Sequence, residues 1–491
     1  MNIVDPILWQ CKLQPDAPAL CMPGDRHAMT TYGQLGLMIG NVARRARSFG
    51  LMRGDTVVIV VEHHAIHAAL ILGLAHAGVV TISGRDGTCP KGLKVDAIIA
   101  DGPLSVPENT RVIVVDFSWT MGAGVADEEG LHDSVGDDTF GDDTCRIIFT
   151  SGTTGDAKAV AFSHRMTNDR ILRFNYILGS QFPTFSRLYL DLGFATSLGY
   201  LFLIHTLTRG GMLIFIGDSY HNTANALELY EAQCWLGSPA GLAKFADYYQ
   251  DTKTPRGRLQ MIFSGGSLLA RTLGERVRQH MCATVITGYG STEANMTAAA
   301  PLQLIEQVEG GVGFLLPGVT VETVDPANSP LPRGSVGLIR IRGPYTVTEY
   351  VGDPAESARV FRDGWFYPGD IGSVTRENML VIAGRLKTVI NVGGDKVSPE
   401  LIESVLTSVD GVAEAGVVSI ADRFGIAEIW AVIVAQPSVT DAQVLDHCRS
   451  RLPLPFVPRG LIRAGELPKN QMGKIDRMRL LALIKERRDA G

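Results

Sequence analysis

The sequence predicts an α/β protein. It has a large N-terminal unit of mostly parallel, helix-covered sheets with a β-rich subdomain, and a small α+β unit at the C-terminus. Three observations predict this. Short continuous apolar runs recur between helix-like stretches, at 56–61, 111–115, 146–149, 212–216, 261–263 and 285–287. Such runs are how strands read when both faces of a sheet are covered. Three of them stop in small or hydroxylated residues: SGTTG at 151–155, SGG at 264–266 and GYGSTE at 288–293. Open α/β sheets bind ligands outside the carboxyl ends of their strands, so three such ends describe one site. After about residue 318 the texture changes, and 319–324 and 334–342 alternate like antiparallel strands.

Each element follows from local chemistry. The run 66–80 (IHAALILGLAHAGVV) contains His67 and His76 and is short of the roughly 20 apolar residues a membrane span needs, so it reads as a buried helix. Beyond Gly384-Arg385-Leu386-Lys387 a unit of about a hundred residues begins, large enough for its own core. It carries a helix at 399–406, strands at 416–420 and 429–435, and a helix near 441–451. The domains are therefore 1–386 and 387–491, with the boundary at Lys387.

Composition excludes several classes. The chain has 491 residues, 20% of them charged, with a formal net charge of −6, so no concentrated basic face calls for nucleic acid. The N-terminus, MNIVDPILWQ, has an acid and no basic leader segment, which speaks against a secretory signal. Seven cysteines form no C-x-x-C pair, so reduced, mostly buried thiols in a cytoplasmic protein are expected. The polar stretch 126–143 reads as a solvated linker rather than a metal run. His63 and His67 stand at i and i+4, but no acid lies between them, so they read as helix histidines rather than metal ligands.

The stretch IIFTSGTTGDAK (147–158) raises the chemical question. Glycines admit backbone N–H groups close to phosphate oxygens, hydroxyls add donors and a lysine adds charge. A Walker loop does not fit, because Gly152 and Gly155 are too close and Ala159 follows Lys158. A dinucleotide fold fails too, since GYGSTE has glutamate where the third glycine belongs.

Five stretches stand in order: TSGTTGDAK (150–158), GYGSTE (288–293), GWFYPGD (364–370), GRLKTVINVGGDKVSP (384–399) and PKNQMGKIDR (468–477). Together they resemble the adenylate-forming superfamily of acyl-CoA synthetases, peptide-synthetase adenylation domains and beetle luciferases, over almost the whole chain. The resemblance implies activation of a carboxylic acid by ATP to an acyl-adenylate, then transfer to the thiol of coenzyme A. It implies ATP, Mg²⁺ and coenzyme A as cofactors. Thr150, Ser151, Gly152, Thr153, Thr154, Gly155 and Lys158 would cradle the polyphosphate. Glu293 would hold magnesium and Thr292 the α-phosphate. Tyr289, within Gly288-Tyr289-Gly290-Ser291, would face adenine, with Gly265 and Gly266 on the other side. Asp370 would clamp the ribose, assisted by Arg385. The C-terminal unit would be a small mobile α+β lid, with Lys474 its catalytic lysine and Lys387 its hinge, and Gly393 and Gly394 would approach the pantetheine channel.

Two departures stand out. Ala157 replaces a usual proline, and Pro368 a usual threonine, which removes one nucleotide contact. The segment 83–94 is shorter than in typical relatives. Ala195 stands where amino-acid-activating relatives carry the aspartate that meets the ammonium, so an α-amino acid is disfavoured. Phe194, Ala195, Ser238, Ala240 and Ser264 would line the acyl pocket, for a medium-sized apolar acid, aryl or aliphatic. Loading of an acyl carrier protein is the alternative acceptor reaction. A non-catalytic binding relative is a third reading, against which Lys158, Glu293, Asp370 and Lys474 speak. A homodimer is compatible with everything above.

Overall fold

In the computed structural model the described residues are 1–25, 28–84, 92–104, 106, 110–116, 119, 141–150, 158–174, 187–217, 219–252, 258–266, 269, 271–308, 310–385, 390–392, 395–421, 427–469 and 474–489. Two sheets build the N-terminal unit. In the six-stranded sheet, Val112–Val114, Ala97–Ala100, Thr56–Val60, Val80–Ser83 and Thr144–Thr150 run parallel in that spatial order, and Lys158–Ser163 closes the edge as an antiparallel hairpin partner. The second sheet has fifteen strands. Its parallel part places Met212–Ile214, Arg187–Leu190, Cys234–Gly237, Met261–Ser264 and Val285–Ser291 side by side.

The helices His64–His76 and Ser197–Thr208 are buried along nearly their whole length, because both are apolar all round. One core cluster joins Val57 and Ile59 of the first sheet, Leu70 and Leu74 of the first helix, Tyr200 and Leu203 of the second, and Leu188 and Phe263 of the second sheet. The two helices thus lie between the sheets. Truncating Leu203, which is 0% exposed, to alanine would cost about 2–5 kcal/mol. The Thr196 hydroxyl accepts from the Gly199 N–H over 3.0 Å and starts the second helix, which positions the strand-end segment before it.

The β-rich part continues the parallel sheet, and two details of placement need correction. Val285–Ser291 turns back into Asn295–Pro301, and Gly311–Leu315, Met379–Arg385, Asp370–Val374 and Gly337–Arg342 follow, all antiparallel. The change of texture therefore begins at Asn295, whose φ of +60° makes the reversal, and not near 318. GYGSTE is also only partly a loop, since Gly288, Tyr289, Gly290 and Ser291 are the last residues of a strand.

The C-terminal unit gathers a core from Ile402, Leu406, Val417, Ala431, Val444 and Cys448. Its sheet holds Val412–Ala421, Ala427–Ala435 and Gly460–Arg463, with helices Pro399–Thr407, Asp441–Arg451 and Arg477–Asp489 beside it. Cys11, Cys21, Cys145, Cys234, Cys282 and Cys448 are free and buried, and Cys89 lies outside the described residues. Among the described residues no helix is long and apolar enough to cross a membrane, and no three potential ligands gather for a metal.

Candidate active site

The site is built where the large sheet changes from parallel to antiparallel. Asp370 begins one strand and Arg385 ends its neighbour, so the antiparallel register sets them opposite each other. Arg385 Nε donates to Asp370 Oδ1 over 2.7 Å, and the Tyr289 hydroxyl donates to Oδ2. Asp370 is only 2% exposed. A carboxylate buried this far is tolerated because both oxygens are engaged by donors. Burial, and then the charge of Asp370, push the Tyr289 hydroxyl far above the usual phenol range, so it remains a donor.

Glu293 follows on the turn after the Tyr289 strand and is buried. Its Oε1 accepts from the Tyr350 hydroxyl over 2.8 Å. The Ser291 hydroxyl accepts from the Ala294 N–H over 3.1 Å, which closes the turn that carries Thr292 and Glu293. Lys474 arrives from the C-terminal unit. Burial pulls its ammonium below the ordinary lysine value, Arg385 adds to that, and Asp370 and Glu293 oppose it. The lysine charge is thus coupled to all three site residues. The loop that carries it is pinched at its base, where the Asp476 N–H donates to the Pro468 carbonyl over 2.8 Å and Lys469 bridges to Ile475. Just beyond, Arg477 Nη1 binds Glu403 Oε1 and the Val417 carbonyl over 2.6 Å each, and Nη2 binds Glu400 Oε1 over 2.7 Å.

Thr150 and Lys158 face each other across the hairpin of the smaller sheet, at the base of the expected phosphate loop. Lys158 Nζ lies 3.0 Å from Asp353 Oδ2 and 3.9 Å from Glu356 Oε1, both on or capping the helix Pro354–Val360. Ser151, Gly152, Thr153, Thr154, Gly155 and Ala157 lie outside the described residues, as do the hinge Lys387 and the pair Gly393 and Gly394.

Of the residues expected at the acyl pocket, Ser238 and Ala240 line a cavity of about 210 Å³, together with Asp191, Ile216, Tyr220, Gly241, Lys244 and Phe245. Phe194, Ala195 and Ser264 are not in that lining. Phe194 packs its ring edge-on against His67 and Phe215, Ala195 is exposed, and Ser264 is fully buried at the end of its strand. Gly265 N–H donates to the Gly237 carbonyl over 3.1 Å, which joins the cavity wall to the Ser264-Gly265-Gly266 strand end.

Sequence reading missed three buried arginines that hold these parts together. Arg170 is 0% exposed and donates to the carbonyls of Thr292 (2.8 Å), Glu293 (3.1 Å) and Tyr345 (2.7 Å). Arg173, one turn on, reaches the Met296 and Pro317 carbonyls over 3.3 and 2.9 Å. Arg146 donates to Thr81 Oγ1 over 3.1 Å, to Ser83 Oγ and to the Phe194 carbonyl over 2.7 Å. Burial lowers the guanidinium of Arg170 to about 9 and that of Arg146 to about 10, so both stay charged at neutral pH. The signal for Arg146 was present: a charge in the middle of an apolar strand has to be satisfied by something.

A profile of the AMP-binding enzyme family matches residues 7–351, and that of the AMP-binding enzyme C-terminal domain matches residues 401–474. The chain belongs to the AMP-binding enzyme family. It is 27% identical over 484 residues to a feruloyl-CoA synthase of Amycolatopsis sp., covering 95% of this chain and 96% of the other. It is 25% identical over 477 residues to the long-chain-fatty-acid–CoA ligase FadD13 of Mycobacterium tuberculosis, covering 91% of each. The fold is that of ATP-bound MatB from Rhodopseudomonas palustris, with a TM-score of 0.82 at 24% identity over 98% of both chains.

Proposed function

We propose that the protein is an AMP-forming acid–thiol ligase that activates a carboxylic acid with ATP and passes the acyl group to coenzyme A. The observation that carries this is the buried Asp370 held by Arg385 and Tyr289, beside the turn that carries buried Glu293; the Lys474 charge, from the C-terminal unit, is felt at the same place. The named relatives, one a feruloyl-CoA synthase and one a fatty-acid–CoA ligase, support the reaction class and leave the acid to be found by assay.

The chemistry follows from charge. A carboxylate oxygen of the acid attacks the α-phosphorus of ATP. A new P–O bond forms, the bond to the β-phosphate oxygen breaks, and pyrophosphate leaves with the electron pair. Two anions approach each other in that step, and the Lys474 cation offsets their repulsion. Asp370, oriented by Arg385 and Tyr289, accepts from the ribose hydroxyls. Glu293 would hold magnesium, which takes hard oxygen donors, and the bound ion would supply positive charge against the polyphosphate. The thiol of coenzyme A then attacks the acyl carbon and AMP departs. Lys158 and Thr150 stand at the mouth of the phosphate loop, ready to meet the polyphosphate.

Pyrophosphate release over a panel of aliphatic and aromatic acids, with and without coenzyme A, tests the reading. ATP-dependent loss of free thiol with at least one acid is expected. Pyrophosphate release with no thiol loss would move the acceptor to a carrier protein. No release with any acid would overturn the proposal.

A further inference from the structure

We propose that Tyr350 is a positioning residue of the reaction: its hydroxyl fixes the Glu293 carboxylate in the orientation that receives the magnesium of the ATP complex, and the short segment it begins ties that carboxylate to the base of the phosphate loop. This rests on the ligase reading above and deepens it.

The backbone of Glu293 is clamped. Its carbonyl accepts from the Val347 N–H over 2.9 Å and from Arg170 Nη2 over 3.1 Å. Arg170 also holds the Tyr345 carbonyl over 2.7 Å, so the turn that carries Glu293 and the stretch 345–350 are fastened to each other. The clamp does not settle the side-chain torsions between that backbone and the carboxyl oxygens. The Tyr350 hydroxyl does, by donating to Oε1 over 2.8 Å. Glu293 and Tyr350 are both buried, so the bond is made away from competing water.

Tyr350 is held in its turn. Its N–H donates to Ser357 Oγ over 2.8 Å, and that hydroxyl donates to the Asp353 carbonyl over 2.6 Å. Its ring packs on Phe361 with the centroids 5.2 Å apart. A donor fixed this way can orient its partner.

The same segment reaches the other sheet. The Val351 N–H donates to the Ala159 carbonyl over 2.9 Å, and Asp353 pairs with Lys158 over 3.0 Å. Glu293 sits on a turn of the large sheet, whereas Lys158 and Ala159 begin the edge strand of the smaller one. Residues 350–353 therefore register a carboxylate suited to magnesium against a lysine suited to phosphate. One oriented carboxylate fits this metal, which commonly takes one or two from the protein and completes its shell with substrate phosphates and water.

The test uses the full-length enzyme with α,β-methylene-ATP, and manganese as a paramagnetic substitute for magnesium. Tyr350→Phe keeps the ring and removes the hydroxyl. By electron paramagnetic resonance it should weaken manganese binding to the enzyme–nucleotide complex by about tenfold or more, the usual loss when a ligand's supporting partner is removed. Calorimetric affinity for AMP, which brings no polyphosphate, should stay within about twofold of wild type, as for an independent site. Glu293→Gln should also weaken manganese binding, and adding Tyr350→Phe to it should change the affinity by less than about twofold, because the hydroxyl acts through the carboxylate. Unchanged manganese affinity in folded Tyr350→Phe would overturn the assignment. So would a loss of AMP affinity equal to the loss of manganese affinity, which is what a merely structural tyrosine gives. Unchanged affinity in Glu293→Gln, or losses that multiply in the double variant, would overturn it too. If a melting curve shows Tyr350→Phe unfolded, Glu293→Gln against the double variant decides, since neither leaves a buried carboxylate unpaired. All these failures leave the ligase reading intact as long as the wild type releases pyrophosphate. A wild type that releases none with any acid would overturn both.

Discussion

Asp370 and Arg385 stand opposite each other on adjacent antiparallel strands and are joined by a 2.7 Å hydrogen bond between Nε and Oδ1. The first residue of one strand and the last of the next form a rigid pair, because the whole ladder between them fixes the separation. Replacing Asp370 by alanine should raise KM for ATP by about ten- to a hundredfold, the worth of a hydrogen bond to a charged group. Both half-reactions should suffer, since the nucleotide is held throughout. Arg385→Gln should give a smaller loss, and the double variant should fall short of the sum, because the two act as one unit. Calorimetric nucleotide affinity unchanged in Asp370→Ala would show that the ribose is held elsewhere.

In the proposed reaction Lys474 has a separate role. Lys474→Ala should lower acyl-adenylate formation by about a hundred- to a thousandfold, the usual loss for one charge-stabilising donor. Thioester formation from supplied acyl-adenylate should stay within about fivefold of wild type, because no second anion approaches in that step. Single-turnover measurement of each half-reaction separates the two, and an equal loss in both would contradict the role given to the lysine.

Lys158 is ion-paired with Asp353. Asp353 also caps the helix Pro354–Val360 by accepting from the Glu356 N–H over 3.0 Å, and asparagine caps nearly as well. Asp353→Asn should therefore keep the helix and weaken the hold on Lys158. KM for ATP should fall by up to about fivefold, the range of a partly exposed ion pair. A higher KM would mean that the pair positions the lysine for phosphate instead of competing for it.

Arg170→Ala should lower stability by at least about 3 kcal/mol, because three buried carbonyls lose their donor together. Arg170→Lys should recover only part of this, since an ammonium cannot span acceptors as the planar fork does. Denaturant midpoints compare the three proteins. Full recovery by lysine would show that charge alone matters at this position.

Acid lability follows from buried histidines. His76, His164 and His205 are each held neutral by burial, which lowers them from 6.5 to about 4. A folded-state value below the unfolded one means that the unfolded chain takes up protons first. Their contribution is complete above about pH 6.5 and is lost as pH falls towards 4. Denaturant midpoints should drop steeply over that window, and His205→Phe, which keeps an aromatic ring among Phe174 and Phe202, should make the drop shallower. An unchanged slope would remove His205 from the account.

What could be read from the sequence was uneven, for physical reasons. Apolar strands and the buried helix read at 66–80 announced themselves because burial on all sides leaves a continuous hydrophobic run. GYGS misled because glycine reads as loop, whereas here it permits close strand contact. A Cβ on Gly290 would stand 2.5 Å from the Asn295 carbonyl, and one on Gly288 2.7 Å from the Met296 sulfur. Lys474 was visible only through its motif, since nothing in the local sequence says that a lysine near the C-terminus will reach Asp370. Arg170 and Arg173 were invisible for a related reason. Their partners are backbone carbonyls distant in the chain, and those carry no side-chain signature.

The space that Gly241 leaves for Asp191 has a consequence for how this enzyme could change. A side chain at 241 is blocked while the carboxyl stands where its Cβ would be. The contact is with the end of a side chain, so any residue larger than glycine at 241 needs the Asp191 carboxyl to swing aside, and the two positions are coupled. A mutational library at 241 built on Asp191→Ala should accept more residue types than the same library built on the wild type.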